Sequence, residues 1–556
     1  MLHTEFLLNQ RPGVANARAA KQWIREQPVT DARAAHHAVA GLLAELEDSS
    51  LPALERLEIL ETLRPHVAEI DRLYSGRYVA KPLPLGPTER NAFAHAKHLW
   101  LRLESAYWHC ANAALSGDPA MQPHLALCLA RAAGLVCASV AGHVRAGQAI
   151  DQSAFDSLQN YFELAQDSHV LSTPVADSLH PKRGTSIGAT YRRALLIRQG
   201  AGAAAAGRER ECLIELAEAW EGKTAMAWRP AGKGEPTMSD LPPTADGARQ
   251  CVKLIPVGRW VHMLDVTLVS RSLRRRIHKL ALGTKPDELR LPASFHHAGV
   301  DDLLKRLHNA WCDEANGRAH SRLAAKPGAS HGNRIALAHA VNDFSVLYCM
   351  VTGEPFLVEE QKDPLMSRRH AEEIFMFQHA ARARNDALGE ATARQFETWE
   401  LQDESAGGFR LRRSDAGARL RRGQLASLRL GQGGSVLLAE IRWLTEPELS
   451  LERSSPGQNA PGMVEAGLQI LHGRLAGIAM RATGINAQGG RQYQPAFLLR
   501  VSQSGESGFR VVAPVGWFKP RRVVEVREGE KSYRMMLEKL LQRGVDFEVI
   551  EAYMTN

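Results

Sequence analysis

The sequence has few cysteines, and none of them is spaced for metal binding or for a disulfide framework. Seven cysteines are scattered over 556 residues without any C-x-x-C pair. Disulfide scaffolds belong to small secreted proteins with dense cysteines. We therefore expect reduced, buried thiols, no metal site and a cytoplasmic location.

The motifs of common enzymes are also missing. The sequence contains no H-E-x-x-H zinc motif, no G-x-S-x-G nucleophile turn and no Walker phosphate loop. Two adjacent histidine pairs, His36-His37 and His296-His297, are poorly arranged for chelation, because neighbours on a helix point about 100° apart. No catalytic residues are identified, which favours a binding protein over an enzyme.

Long apolar runs are absent as well, so no membrane span is predicted. The longest, about His124 to Val144, is interrupted by Arg131 and is shorter than a span requires, so a buried helix is favoured. The first residues do not resemble a signal peptide. A net charge of +8 suits an anionic ligand, but over this length it does not predict a nucleic acid polymer as a partner.

What the sequence does contain is enough apolar residues, 44% of the total, for several packed cores. Helical periodicity predicts a helical domain over 1–85, with Asp31 as one helix cap. A mainly helical middle domain follows over 86–300, with short strands at Val252–Val257 and Trp260–Val266. Gly200–Gly207 is expected to interrupt its helices. The fold class is therefore α+β and multidomain, with an α-helical N-terminal half.

The second half has the alternation and the turns of an antiparallel β-barrel. Strands are predicted at 333–338, 344–348, 423–430, 435–444 and 466–471, within a domain spanning 301–482. Residues of about 358–394 favour a helical insertion. A second, smaller β unit is expected over 490–556, with a terminal helix at Ser532–Arg543.

One short motif points to a ligand. Asp403, Ser405 and Gly408 form a D-x-S-x-x-G pattern that contains Gly407. A carboxylate such as Asp403 accepts the N1–H and amino protons of a guanine edge, and Ser405 donates or accepts beside it. Gly407 and Gly408 allow positive φ and a close approach of the backbone to a flat base. Asp, Ser and Gly are also the ordinary residues of a turn.

This motif, together with the order of strands after it, resembles the PilZ domain, a β-barrel family that binds cyclic di-GMP. The resemblance implies a cyclic di-GMP site at Asp403, Ser405 and Gly408. The family's R-x-x-x-R motif, which binds phosphate, is absent from the usual place and is found only further back, at Arg318 and Arg322. These two arginines either clasp the ligand phosphates or are solvated at a helix end. Arg410, Arg412 and Arg413 add positive charge or face water.

The resemblance implies a cyclic di-GMP-binding receptor or adaptor that passes the state of the second messenger to a protein partner through its helical half. Similar layouts occur in receptors of surface attachment and type IV pilus motility in bacteria. The alternative is a degenerate PilZ scaffold that binds protein only, without a nucleotide. The altered R-x-x-x-R spacing favours the scaffold, and the intact D-x-S-x-x-G motif favours the receptor.

Overall fold

The structure, a computed structural model, contains two compact units. The helical unit comprises residues 1–81 and 85–317, and the barrel unit comprises residues 82–84 and 318–556. The residues it describes are 16–26, 31–179, 184–204, 207–230, 232, 234–241, 251–257, 259–295, 299–312, 323–324, 334–339, 344–353, 356, 396–414, 417–430, 435–446, 463–483, 492–503 and 506–555.

Amphipathic helices make up most of the helical unit, as the sequence predicts. The Asp31 carboxylate accepts hydrogen bonds from the backbone N–H groups of Arg33 and Ala34, so it caps the second helix as expected. The helices are α1 (Ala17–Glu26), α2 (Ala32–Asp48), α3 (Ala53–Tyr78), α4 (Pro87–Leu115), α5 (Leu125–Ala146), α6 (Gln152–Asp167), α7 (Ile187–Gly200) and α8 (Gly207–Trp220).

The long apolar helix α5 packs inside this unit. Of the described helices, the segment Gln122–Ala146 alone is long and apolar enough to cross a membrane, and 72% of its most apolar window is buried. The core helix of a soluble protein passes the same test. The predicted break between α7 and α8 is confirmed. Gly200 ends α7 where a Cβ would lie 2.4 Å from Leu213.

A small antiparallel sheet completes the helical unit. Its strands are β1 (Ala225–Pro230), β2 (Val252–Val257) and β3 (Trp260–Asp265), and β3 lies between the other two. The two strands predicted in this region are confirmed. The helices α9 (Thr267–Ala281) and α10 (Val300–Cys312) follow and pack on each other.

The first barrel of the barrel unit is a ring of six antiparallel strands. The strand order is β4-β6-β5-β8-β9-β10-β7, and β7 also pairs with β6, which closes the ring and leaves β4 outside it. Trp399, Leu411 and Leu428 are buried. The elements are β4 (Leu323–Ala324), β5 (Arg334–His339), α11 (Phe344–Thr352), β6 (Phe396–Ser405), β7 (Gly408–Ser414), β8 (Leu425–Leu430), β9 (Val436–Thr445) and β10 (Met463–Ile470).

A second closed barrel follows and confirms the predicted C-terminal β unit. Its strand order is β11-β12-β13-β16-β15-β14, and its interior is filled by aliphatic side chains and methionines such as Ile478, Val511 and Met535. The strands are β11 (Arg474–Ala482), β12 (Gln494–Gln503), β13 (Glu506–Pro514), β14 (Arg522–Glu528), β15 (Lys531–Arg543) and β16 (Phe547–Thr555).

The terminal helix predicted at Ser532–Arg543 is wrong, because these residues form β15. The segment is rich in Met, Leu, Glu, Lys, Gln and Arg, all good helix formers, and tertiary contacts override that weak local preference. Met535 and Leu537 alternate into the barrel core, and β15 pairs with β14 on one side and β16 on the other.

Two further expectations need correction. Residues 344–348 belong to the helix α11 rather than a strand, and a short apolar run does not distinguish the two states. Phe344 and Leu347, three residues apart, face one cluster with Phe497. The predicted end of the first barrel at 482 is too late, because β11 pairs with β12 and β14 in the second barrel.

Candidate site on the outer face of the first barrel

The D-x-S-x-x-G motif folds as the β6–β7 hairpin. Ser405 pairs with Gly408 across a turn formed by Ala406 and Gly407. The Ser405 hydroxyl donates a hydrogen bond to the Gly408 carbonyl oxygen at 3.3 Å. Ser405 therefore helps to close the turn, the structural role that the sequence left open beside ligand binding.

Gly408 is required by the packing of the barrel itself. A Cβ at this position would lie 1.9 Å from the Leu468 carbonyl oxygen on the neighbouring strand β10. Neither Gly407 nor Gly408 is among the described glycines with positive φ. The expected close approach of backbone is thus made to a strand of this chain.

A β-bulge decides which way Asp403 faces. Leu401 pairs with Leu411, but the next pair is Asp403 with Arg410, so the register shifts by one residue between them. Leu411 is fully buried, whereas the Arg410 side chain is 41% exposed. The bulge therefore brings Asp403 beside Arg410 on the outer face, and Asp403 remains 16% exposed there.

Asp403 and Arg410 belong to a group that we call the outer-face cluster: Asp403, Arg410, Arg412, Trp443 and Glu465. Arg410 Nη2 donates to Glu465 Oε2 at 2.7 Å, and Arg410 Nη1 lies 3.9 Å from Asp403 Oδ2. Arg412 Nε is 3.6 Å from Glu465 Oε1. Two guanidinium groups and two carboxylates therefore share one patch on three strands.

Trp443 adds an aromatic ring to the cluster. In the register, Gly467 lies between Arg410 on β7 and Trp443 on β9. The indole lies across Gly467, where a Cβ would be 1.9 Å from the Trp443 Nε1. The Arg410 guanidinium carbon is 6.0 Å from the ring centroid, at the limit of a cation–π contact.

The cluster combines the groups that bind guanine nucleotides. Carboxylates accept guanine N–H protons, guanidinium groups bind phosphate or the O6 and N7 atoms, and indole stacks on bases. Arg410 Nε and Arg412 Nε are buried donor atoms without a hydrogen-bond partner among the described residues. Arg412 Nε nevertheless lies within ion-pair distance of Glu465 Oε1, at 3.6 Å.

Arg413 is removed from the candidate residues because it faces the barrel interior. Its side chain is only 3% exposed, forms an ion pair with Glu397, and donates to the Ala418 carbonyl oxygen. Its guanidinium carbon lies 4.7 Å from the centroid of the buried Trp399 ring. The strand alternation places Arg410 and Arg412 outside and Arg413 inside.

Some predicted residues lie outside the described chain. Arg318, Arg322 and the predicted helical insertion at 358–394 are among them. In the described chain, no group of three or more His, Cys, Asp or Glu side chains is arranged to hold a metal ion. The seven cysteines all lie in the described chain, none of them is in a disulfide bond, and all except Cys349 are buried.

Sequence reasoning missed Trp443 and Glu465. Trp443 lies in the strand predicted at 435–444, whereas Glu465 directly precedes the strand predicted at 466–471 and belongs to the longer observed strand β10. Their nearness to Asp403 depends on the pairing of β7, β9 and β10.

Comparison with protein families gives matches for an N-terminal and a C-terminal segment of the chain. Residues 18–229 match the N-terminal domain of the cyclic-di-GMP receptor FimW, and residues 478–551 match the FimW C-terminal β-barrel domain. Both matched segments are therefore similar to domains of the FimW receptor family. The first match covers α1 to β1, and the second covers most of the second barrel.

In the sequence, the residues of the outer-face cluster lie between the two segments that match FimW domains. Residues 230–477, which contain the first barrel, are outside both matches. Neither the curated proteins nor the solved structures gave a significant match.

Proposed function

We propose that this protein is a non-catalytic cyclic di-GMP receptor. The observation that carries the proposal is the match of two separate segments to domains of FimW, a cyclic-di-GMP receptor. The first barrel, with its D-x-S-x-x-G hairpin, is then a PilZ-type domain. It supplies the ligand site between the two matched domains.

The outer-face cluster is the ligand site in this proposal. Asp403 accepts hydrogen bonds from a guanine edge, and Arg410 and Arg412 use their forked donors on the phosphates or on the base. Trp443 stacks on a base. Ser405 and Gly408 support the site by holding the hairpin that presents Asp403. Arg318 and Arg322 remain predicted phosphate ligands.

The receptor acts in the cytoplasm as an adaptor. Ligand binding at the barrel changes what the helical unit presents to a protein partner, in surface attachment or pilus-based motility. The exposed basic residues Arg271 and Arg275 of α9 support this proposal, because they place positive charge on the surface of the helical unit.

Two contacts within the chain favour the alternative of a scaffold that binds protein only. The ion pair between Arg410 and Glu465 at 2.7 Å, and the bond from Ser405 to Gly408, already engage part of the motif within the chain. A ligand has to compete with these contacts. Titration with cyclic di-GMP distinguishes a receptor from a scaffold directly.

The test is isothermal titration of the full chain with cyclic di-GMP, comparing Asp403→Asn with Glu404→Gln. Both changes neutralise a carboxylate without changing its shape, on adjacent residues of β6, and Glu404 is exposed outside the cluster. Loss of a charged contact costs about 1.5–3 kcal/mol, or roughly ten- to a hundredfold in affinity. We expect that loss for Asp403→Asn and parent affinity for Glu404→Gln.

Equal affinity of both variants would remove the cluster as the site. Absence of binding by the parent chain would leave the scaffold function. Arg318→Lys and Arg322→Lys extend the test, because lysine keeps the charge but lacks the fork that grips phosphate. We expect each of these lysine variants to bind as weakly as the corresponding alanine variant.

A further inference from the structure

The helical unit contains a cavity of about 300 Å³ that the proposed barrel site does not use. It is lined from α3, α4, α5, α7 and α8, and all its lining residues fall within the FimW N-terminal match over 18–229. Ligand pockets begin at about this volume. The cavity is therefore large enough for one small ring system and too small for a whole dinucleotide.

Charged groups in its walls are held by ion pairs that need no ligand. Arg64 Nη2 lies 2.6 Å from Asp177 Oδ1, and Arg131 contacts both oxygens of Glu61 at 2.9 and 3.0 Å. Paired in this way, buried guanidinium groups keep fixed positions and still present further donors. The remaining wall is mostly apolar and includes Trp100, Leu103, Leu135 and Ile197.

Asp71 differs from the other acids that line the cavity. Its Oδ1 atom is buried without a hydrogen-bond partner among the described residues. Burial raises the pKa of Asp71 to about 6, although the nearby charge of Arg145 lowers it. An unpaired buried carboxylate oxygen costs free energy that a ligand N–H would recover.

Arg145 provides the complementary group. It lines the same cavity, and its Nε donates to Glu211 at 2.8 Å, which orients the guanidinium while leaving its Nη donors in place. The cavity lining thus combines a carboxylate oxygen that has no hydrogen-bond partner among the described residues with a nearby guanidinium whose Nε is held by Glu211.

We propose that this cavity binds a guanine base, carried either by cyclic di-GMP or by a guanine mononucleotide such as GTP. Guanine offers N–H donors on one edge and the O6 and N7 acceptors on the next, and arginine recognises those acceptors bidentately. Adenine has no N1–H for Asp71. If the base is carried by cyclic di-GMP, the inference rests on the proposed function. If it is carried by GTP, the inference does not depend on the proposed function.

Gly134 on α5 allows the cavity to be filled selectively. It lines the cavity, and a Cβ there would meet no atom within 4 Å, so Gly134→Leu places its side chain in open space. Gly76→Leu on α3 is the matched control, because Gly76 is also helical, has the same free space and does not line the cavity. Thermal unfolding followed by circular dichroism checks that both variants fold.

The experiment titrates the full chain with cyclic di-GMP, GTP and ATP. Binding is measured in the parent, and also in an Asp403→Ala/Arg410→Ala background that disables the barrel site. We expect that background to retain binding of cyclic di-GMP or GTP, with ATP at least tenfold weaker. Gly134→Leu should abolish the retained binding and Gly76→Leu should preserve it. Asp71→Asn, which keeps the shape, should weaken it at least tenfold.

The results separate this proposal from the proposed function. In one outcome the parent binds cyclic di-GMP but not GTP, and the background binds neither of them. This outcome overturns the cavity proposal and leaves the receptor function in place. Retained binding that survives Gly134→Leu also overturns it. Binding of GTP alone, lost in Gly134→Leu, supports the cavity and removes the receptor function. Absence of all guanine binding removes both.

Discussion

At the scale of single residues, Arg412 and Arg413 are neighbours on β7 that point to opposite faces of the strand and have different partners. Arg413 is buried with Glu397, whereas Arg412 is part of the outer-face cluster. Removing one partner of a buried ion pair leaves an uncompensated charge and costs about 3–5 kcal/mol, while an exposed pair is worth about 0–1 kcal/mol.

We expect Arg413→Met to destabilise the first barrel by about 3–5 kcal/mol, and Arg412→Met to change stability by about 1 kcal/mol or less. Urea unfolding followed by tryptophan fluorescence measures both, and buried Trp399 beside Arg413 reports on the barrel. Arg412→Met should instead weaken the binding of cyclic di-GMP. Similar unfolding midpoints for the two variants would contradict the assignment of the faces.

His36 predicts a dependence of stability on pH in the helical unit. It is buried against His95, whose ring centroid is 4.9 Å away, and against His98. Burial first, and the charges of His95, His98 and His37 next, lower its pKa to about 4. The unfolded chain therefore binds this proton near pH 6.5, and the folded chain binds it only near pH 4.

Since the unfolded state binds more protons in that window, stability falls as the pH is lowered through it. We expect His36 to account for a loss of about 2 kcal/mol between pH 6.5 and 5, so His36→Gln should lose less stability than the parent. Asp71 and Asp546, whose pKa values burial raises to about 6, stabilise the fold at low pH and act oppositely. Both remain in each protein, so the comparison isolates His36. Parallel pH profiles of melting temperature for the parent and His36→Gln would refute the role of His36 in this pH dependence.

At the scale of elements, β15 offers a direct contrast between strand and helix. In a helix, Leu537 and Leu541 would share one face, because residues four apart are neighbours. In β15, Leu537 is fully buried in the second barrel and Leu541 is 41% exposed, with register shifts between them. Residues four apart share a face in a regular strand too, so the two leucines have different environments because the register shifts change the face of β15 between them.

We expect Leu537→Ala to destabilise the second barrel by about 2–5 kcal/mol and Leu541→Ala to stay within about 0.5 kcal/mol. Chemical denaturation of the full chain, followed by circular dichroism in the β-sheet region, gives both values. Equal costs for the two alanines would contradict the change of face that the register shifts produce.

At the scale of the whole molecule, the helical unit is the proposed output surface. It holds over half of the chain and contains the matched FimW N-terminal domain. We expect a fragment from about residue 300 onward to keep cyclic di-GMP binding and to lose capture of the protein partner in a pull-down. Full-length Asp403→Asn is the control, because it should capture the partner while its affinity for cyclic di-GMP at the barrel site is lowered. Recovery of the same partners by the fragment would place the output in the barrels.

Much of this molecule follows from local sequence alone. Amphipathic periodicity and the Asp31 cap predict the helices, and alternation between turns predicts most of the strands, because both signals are carried by residues close in the chain. The same local information predicted Asp403, Arg410 and Arg412 as candidate ligand-binding residues.

Only the tertiary structure decided how these elements combine. Arg410 and Glu465 are 55 residues apart, and they meet because β7 pairs with β10. A one-residue bulge reverses the faces of a strand, which turned Asp403 outward, while strand alternation enclosed Arg413. The predicted helix at Ser532–Arg543 became a strand because β14 and β16 pair with it on both sides. Pairing and burial depend on distant residues, and local propensity is too weak to oppose them.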